Sequence, residues 1–131
     1  MTSGCNKAAR LFALPLCFLL QLLCALPVCA DVHYVSAGGA AAWPYTNWAD
    51  AATSIQPAID AAEPGDTVLV SNGVYNTGQT IISSNIPSRI AITNAILVRS
   101  VNGPAVTIIE GRFFPSSVRC AYLGVNAQLE G

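Results

Sequence analysis

The chain has 131 residues, 53% of them hydrophobic and 10% charged, with a formal net charge of −1. So weak a charge, with no basic run, excludes an electrostatic footprint for nucleic acid. The hydrophobic fraction does not describe one domain, because the first 30 residues read as a targeting segment and must be separated from the rest.

Lys7 and Arg10 form a short positive start, and Leu11 to Leu26 is an apolar stretch broken only by Pro15 and Gln21. Val28-Cys29-Ala30 then supplies small residues for a peptidase. This order marks a secretory signal peptide over residues 1–30, because the basic end stays cytoplasmic while the apolar stretch enters the membrane. An uncleaved anchor is the weaker reading: the stretch falls short of the ~20 residues that span a bilayer and contains a proline. A lipoprotein acylated at Cys29 is disfavoured by Pro27 and Val28, which stand where smaller residues belong. The expectation is a secreted or cell-surface protein that meets the membrane only during export.

Cleavage after Ala30 leaves four arginines against seven acidic residues, a net charge of −3, and no lysine. Cys5, Cys17, Cys24 and Cys29 depart with the signal, so Cys120 has no partner for an internal disulfide and reads as a small buried apolar residue.

In chain order, residues 31–66 read as an N-terminal strand, an aromatic loop and a short helix. Val32-His33-Tyr34-Val35 is rich in β-formers and forms the strand. Trp43, Pro44, Tyr45 and Trp48 crowd into the loop that follows. They suggest an aromatic cluster pinned to a core edge, and Trp43, Tyr45 and Trp48 are also the candidate sugar-stacking residues, since a ring can lie on the apolar face of a pyranose. Thr53 to Ala62 reads as a helix whose Ile55, Ala58, Ile59 and Ala62 share one face. Thr53 and Gln56 have capping-box spacing, Pro57 falls near the first turn, and Pro64-Gly65-Asp66 ends the helix.

Residues 67–131 change to short β-rich runs: 67–70, 80–82, 90–92, 95–98, 106–109 and 121–123. Asn72-Gly73, Thr77-Gly78, Asn102-Gly103 and Glu110-Gly111 punctuate them as turns. Several runs are continuously apolar, which suits a layered interior, and no helical pattern after Ala62 supports alternating βαβ units. An antiparallel sandwich and a stacked parallel solenoid both satisfy this pattern.

Two stretches carry a resemblance. Ile55 to Val70, running on through Asn72-Gly73-Val74-Tyr75, resembles the opening of the pectin-lyase-like superfamily, in which an apolar helix caps the open end and a Pro-Gly-Asp turn leads into the first rung. Ile96 to Gly111 is similar to the rung that follows. The resemblance implies an all-β fold, a right-handed parallel β-helix with a short N-terminal capping α-helix. Such coils repeat at ~20–50 residues, so this length holds only a few rungs. The run Ala127-Gln128-Leu129-Glu130-Gly131 looks like another strand, and a truncated N-terminal segment of a longer protein is the expectation.

The family's polysaccharide lyases need a Lys or Arg base and commonly clustered carboxylates for Ca²⁺, and its hydrolases need paired aspartates. This chain has scattered arginines, and Asp60, Asp66 and Glu110 fall in a helix or at turns, where local roles explain them. No catalytic constellation, cofactor motif or metal-ligand set is legible. His33 reads as a strand residue near the cap, and Asn72 and Asn102 as turn residues suited to a ladder. The expected role is a cap and scaffold that binds a polysaccharide or cell-surface glycan, or adheres through it. The rival is the non-catalytic start of a polysaccharide lyase or glycoside hydrolase.

Overall fold

The computed structural model describes residues 29–82 and 87–131. The signal-peptide features from Lys7 to Val28, with Cys5, Cys17 and Cys24, lie outside the described residues. Among the described residues one short helix accompanies eight strands: β1 Val32–Val35, α1 Ile55–Ala61, β2 Thr67–Val70, β3 Gly73–Tyr75, β4 Ser88–Ile92, β5 Leu97–Ser100, β6 Thr107–Ile109, β7 Arg119–Leu123 and β8 Gln128–Glu130.

Every strand ladder is parallel. The strands form one sheet in the order β1-β2-β5-β8 and two pairs, β3-β6 and β4-β7. Paired residues lie 30 to 34 positions apart from the first full coil onward, as in Thr67↔Leu97, Gly73↔Thr107 and Ser88↔Arg119. Parallel pairing at a constant offset is a solenoid, with each coil stacked on its predecessor at the ~4.8 Å of a sheet. There are about three turns: β2-β3-β4, then β5-β6-β7, then β8 opening a third, with β1 laid ahead of the first. This parallel stacking selects the solenoid over the antiparallel sandwich.

Strand parity builds the core. His33 and Val35 point inward on β1, and the register sets His33 over Val68, Val98 and Leu129, and Val35 over Val70 and Ser100. The outward positions stack Arg99 on Glu130, with Nε to Oε2 at 3.9 Å. Ile90 and Ile92 enter the same core from β4, and α1 closes its end with Ile55, Ala58 and Ile59. Tyr75 turns its ring over Gly73, and its hydroxyl donates to the Ser71 carbonyl at 2.9 Å, closing the corner between β2 and β3. Toward the last coil the core thins, and Leu123 and Leu129 are exposed.

Of the three strands that lead their sheets, β1, β3 and β4, hydrogen bonding covers the outer edge of β1 and of β4. Tyr34 of β1 donates its N–H to the Tyr45 carbonyl (2.7 Å) and accepts from the Ala52 N–H (2.9 Å), so the loop serves as the missing strand. On β4, the Gln56 side chain does the same for one residue. Its Oε1 accepts from the Ala91 N–H at 2.7 Å, and its Nε2 donates to the Ala91 carbonyl at 3.3 Å.

That use of Gln56 corrects the capping box expected with Thr53. The helix starts at Ile55, Ser54 is an extended N-cap with no side-chain cap bond, and Gln56 is spent on the sheet edge. Gly65 ends the turn after the helix at φ +102°, as its sequence context suggests. The run 80–82 is not a strand: Thr80 makes an isolated antiparallel bridge to Ser88, and Ile81 and Ile82 are exposed. Arg112 and Val118 bridge in the same way one coil later, with Phe113 and Phe114 exposed. Cys120 is also exposed, not buried. It falls between the Ser88↔Arg119 and Ile90↔Ala121 pairs, level with Arg89, on the outward side of its strand. The asparagine ladder forms, with Asn102 Nδ2 donating to Asn72 Oδ1 at 2.8 Å.

Candidate functional site

The capped end carries a cleft of about 280 Å³. Cys29 and Asp31 line it from the segment before β1 and His33 from β1 itself, the aromatic loop contributes Trp43 and Pro44, and the helix exit contributes Glu63 and Asp66. No local motif announces this grouping. His33 and Asp66 are 33 positions apart and meet because β1 and β2 lie side by side, with Asp66 immediately before β2.

Asp66 organises the floor. Its Oδ1 accepts from the Asp31 N–H at 2.8 Å, and its Oδ2 accepts from the Glu63 N–H at 2.8 Å and faces His33 Nε2 at 3.3 Å. Burial pushes the carboxyl up, but the Glu63 and Asp31 amides and the His33 ring outweigh it and hold the group below its ordinary value. His33 is itself buried, with Nδ1 at 2.7 Å from the Pro44 carbonyl. Both ring nitrogens are engaged, one at the Pro44 carbonyl and one at the Asp66 carboxylate. The His33–Asp66 pair therefore ties loop, strand and helix exit together.

The three candidate stacking residues have three different surroundings. Trp43 is 74% exposed and lines the cleft. Tyr45 packs against the core and presents its carbonyl to β1. Trp48 sets its ring edge-on to Tyr34, with centroids 4.6 Å apart at 66°, on the outer face of the strand. Tyr45 and Trp48 thus pin the loop as the aromatic pattern suggests, whereas Trp43 contributes its surface to the cleft. The cleft can offer a ligand one indole surface and the rim carboxylates of Asp31 and Glu63, which suits recognition of hydroxyl groups.

A second hollow, about 480 Å³ and shallow, lies along the side of the coils. Arg89 and Arg112 both line it, so two of the arginines that look scattered in sequence come together. Arg89 donates to the Gly78 carbonyl at 2.7 Å and the Glu110 carbonyl at 2.8 Å, bridging turns of successive coils. Arg112 donates to Ser116 Oγ at 2.8 Å. Asp60 accepts from Gln56 one helical turn away, and Glu110 accepts from Asn76 of the preceding coil. Among the described residues no group of three or more His, Cys, Asp or Glu is placed to hold a metal ion.

Comparison with protein-family models, with curated proteins and with solved structures returned no significant match. The fold is therefore described by its own geometry: among the described residues, a mostly β arrangement of stacked parallel strands, compatible with a parallel β-helix, with one short helix.

Proposed function

We propose that this chain is the cap and first coils of a secreted or cell-surface β-helix protein of the pectin-lyase-like kind, and that its capped end binds a polysaccharide or cell-surface glycan. The observation that carries the reading is Trp43, a large apolar ring left 74% exposed at a cleft whose rim also holds two carboxylates. An exposed indole beside hydrogen-bond acceptors is the pairing that a pyranose, apolar on one face and hydroxylated at its edge, engages. The right-handed coil belongs to this reading and is supported by the strong preference of parallel crossover connections for that hand. Export belongs to it as well, supported by the order of basic start, apolar stretch and small residues before Asp31.

The test is affinity electrophoresis through gels loaded with neutral and uronate-containing polysaccharides. A polysaccharide that retards the wild-type chain and not Trp43→Ala supports the reading. Equal mobility of both proteins in every gel refutes it.

The rival, the non-catalytic start of a polysaccharide lyase or glycoside hydrolase, is favoured by a different observation, the shared hollow of Arg89 and Arg112. Two guanidinium groups suit an anionic sugar chain. In the same gels the rival predicts retardation by uronates that is lost in Arg112→Gln and kept in Trp43→Ala.

A further inference from the structure

The first residue after the expected cleavage point is already fastened to the buried carboxylate. Asp31 N lies 2.8 Å from Asp66 Oδ1, and Ala30 before it is exposed. In the uncut chain that nitrogen is a peptide amide, which donates one hydrogen and carries no charge. Hydrolysis of the Ala30–Asp31 bond adds water across it, leaving a carboxylate on Ala30 and an α-amine on Asp31 that takes up a proton. The same atom is then a cation with three donors.

We propose that cleavage after Ala30 converts the Asp31–Asp66 contact into a part-buried terminal ion pair, so that the fold of the capped end is locked by the cut itself. The proposal rests on the export reading above, since it needs the cut at that bond. A separation of 2.8 Å already falls within the 2.7–2.9 Å of an ammonium–carboxylate hydrogen bond, so no rearrangement is required. Asp66 is shielded from water and its other partners are fixed, which makes it a preformed acceptor. Around it stand the His33 ring from β1, which shares the carboxylate, and the side chains of Asp31 and Glu63 on the cleft rim. The two rim carboxylates add to the attraction for a new cation, and His33 shares the Asp66 carboxylate with it.

The sequence makes the consequence measurable without a label. Lys7 is the chain's only lysine, so a chain beginning at Asp31 has a single amine, its own N-terminus. The exported protein is collected, its first residue is read from intact mass, and its acetylation by an amine-reactive ester is followed against pH, native and in urea. The expected result is a start at Asp31 and a native amine that titrates above the ~7.7–8.0 of a free α-amine, each unit cutting the reactive fraction about tenfold. In urea the amine labels at the rate of an unstructured peptide, and in Asp66→Asn the native protection is lost. A start at Asp31 with a native amine as reactive as the unfolded one overturns the ion pair and leaves the export reading standing. A start at another residue near Ala30 overturns the ion pair alone, and a chain retained with residues 1–30 uncut overturns both. The comparison of native with unfolded wild-type protein decides the matter even where Asp66→Asn does not fold.

Discussion

Replacing Asp66 with Asn tests how the capped end is held. The carboxylate accepts from two backbone amides, each at 2.8 Å, and faces the His33 ring at 3.3 Å. An Asn keeps the shape but exchanges one oxygen for a donor, so whichever way it turns, at least one N–H or the ring faces another donor. A buried donor left unsatisfied costs about 1–3 kcal/mol, and the hydrogen bonds that remain lose the charge that strengthens them about twofold. The expected loss is therefore about 2–4 kcal/mol out of the ~5–15 kcal/mol typical of a domain. Urea unfolding at neutral pH, followed by circular dichroism, reads this as a midpoint lowered by about 1–3 M. The pH dependence has a defined sign. The Asp66 carboxyl is held below its ordinary value, so its contribution is complete above the unfolded carboxylate pKa of ~3.9 and is lost as pH falls through the lower folded value. Asp66→Asn lacks that part of the acid limb. A midpoint within roughly 0.3 M of wild type, with an unchanged acid limb, would refute the reasoning.

Further substitutions probe the other devices of the cap. Gln56→Ala strips both hydrogen bonds from the Ala91 edge and leaves the buried residue's N–H without its acceptor, a loss of about 1–3 kcal/mol by urea unfolding. The same substitution at Gln79, which lies outside the cap, serves as the comparison and should change stability by less than ~0.5 kcal/mol. Gly65→Ala places a side chain at φ +102° with open space around it, so the cost of about 1 kcal/mol is backbone strain alone. Gly38→Ala, equally open but without a positive φ, should be neutral or slightly stabilising in the same urea unfolding.

The elements legible in sequence were those that local chemistry determines. The strand at residues 32–35, the helix face of Ile55, Ala58 and Ile59, the Pro64-Gly65-Asp66 stop and the strand at 67–70 all appear where alternation, spacing and turn residues set them. Errors arose where a neighbouring coil decides. Gln56 has the spacing of a cap, yet a strand 35 positions away needs its amide more than the helix end does. Cys120 is apolar enough for a core, but the register with β4 turns it outward. The Ile81-Ile82 pair has β-formers without a neighbouring strand to pair with among the described residues. The candidate site was legible only in its aromatic part. Trp43, Tyr45 and Trp48 stand out together in sequence, but only their contacts separate Trp43 from Tyr45, packed on the core, and Trp48, part-exposed against Tyr34. His33 and Asp66 gave no joint signal, because their meeting depends on the parallel register of β1 and β2.

The measurement that bears most directly on the account is the fluorescence of Trp43 alone. Trp43 and Trp48 are the only tryptophans in the chain, so Trp48→Phe leaves a single reporter at the cleft. With an oligosaccharide of the polysaccharide retained in the gels, the account predicts a blue shift of its emission and protection from acrylamide quenching, both saturating with the ligand. Sugar binding that leaves the emission and quenching of Trp43 unchanged would contradict it and move the binding surface away from the capped end.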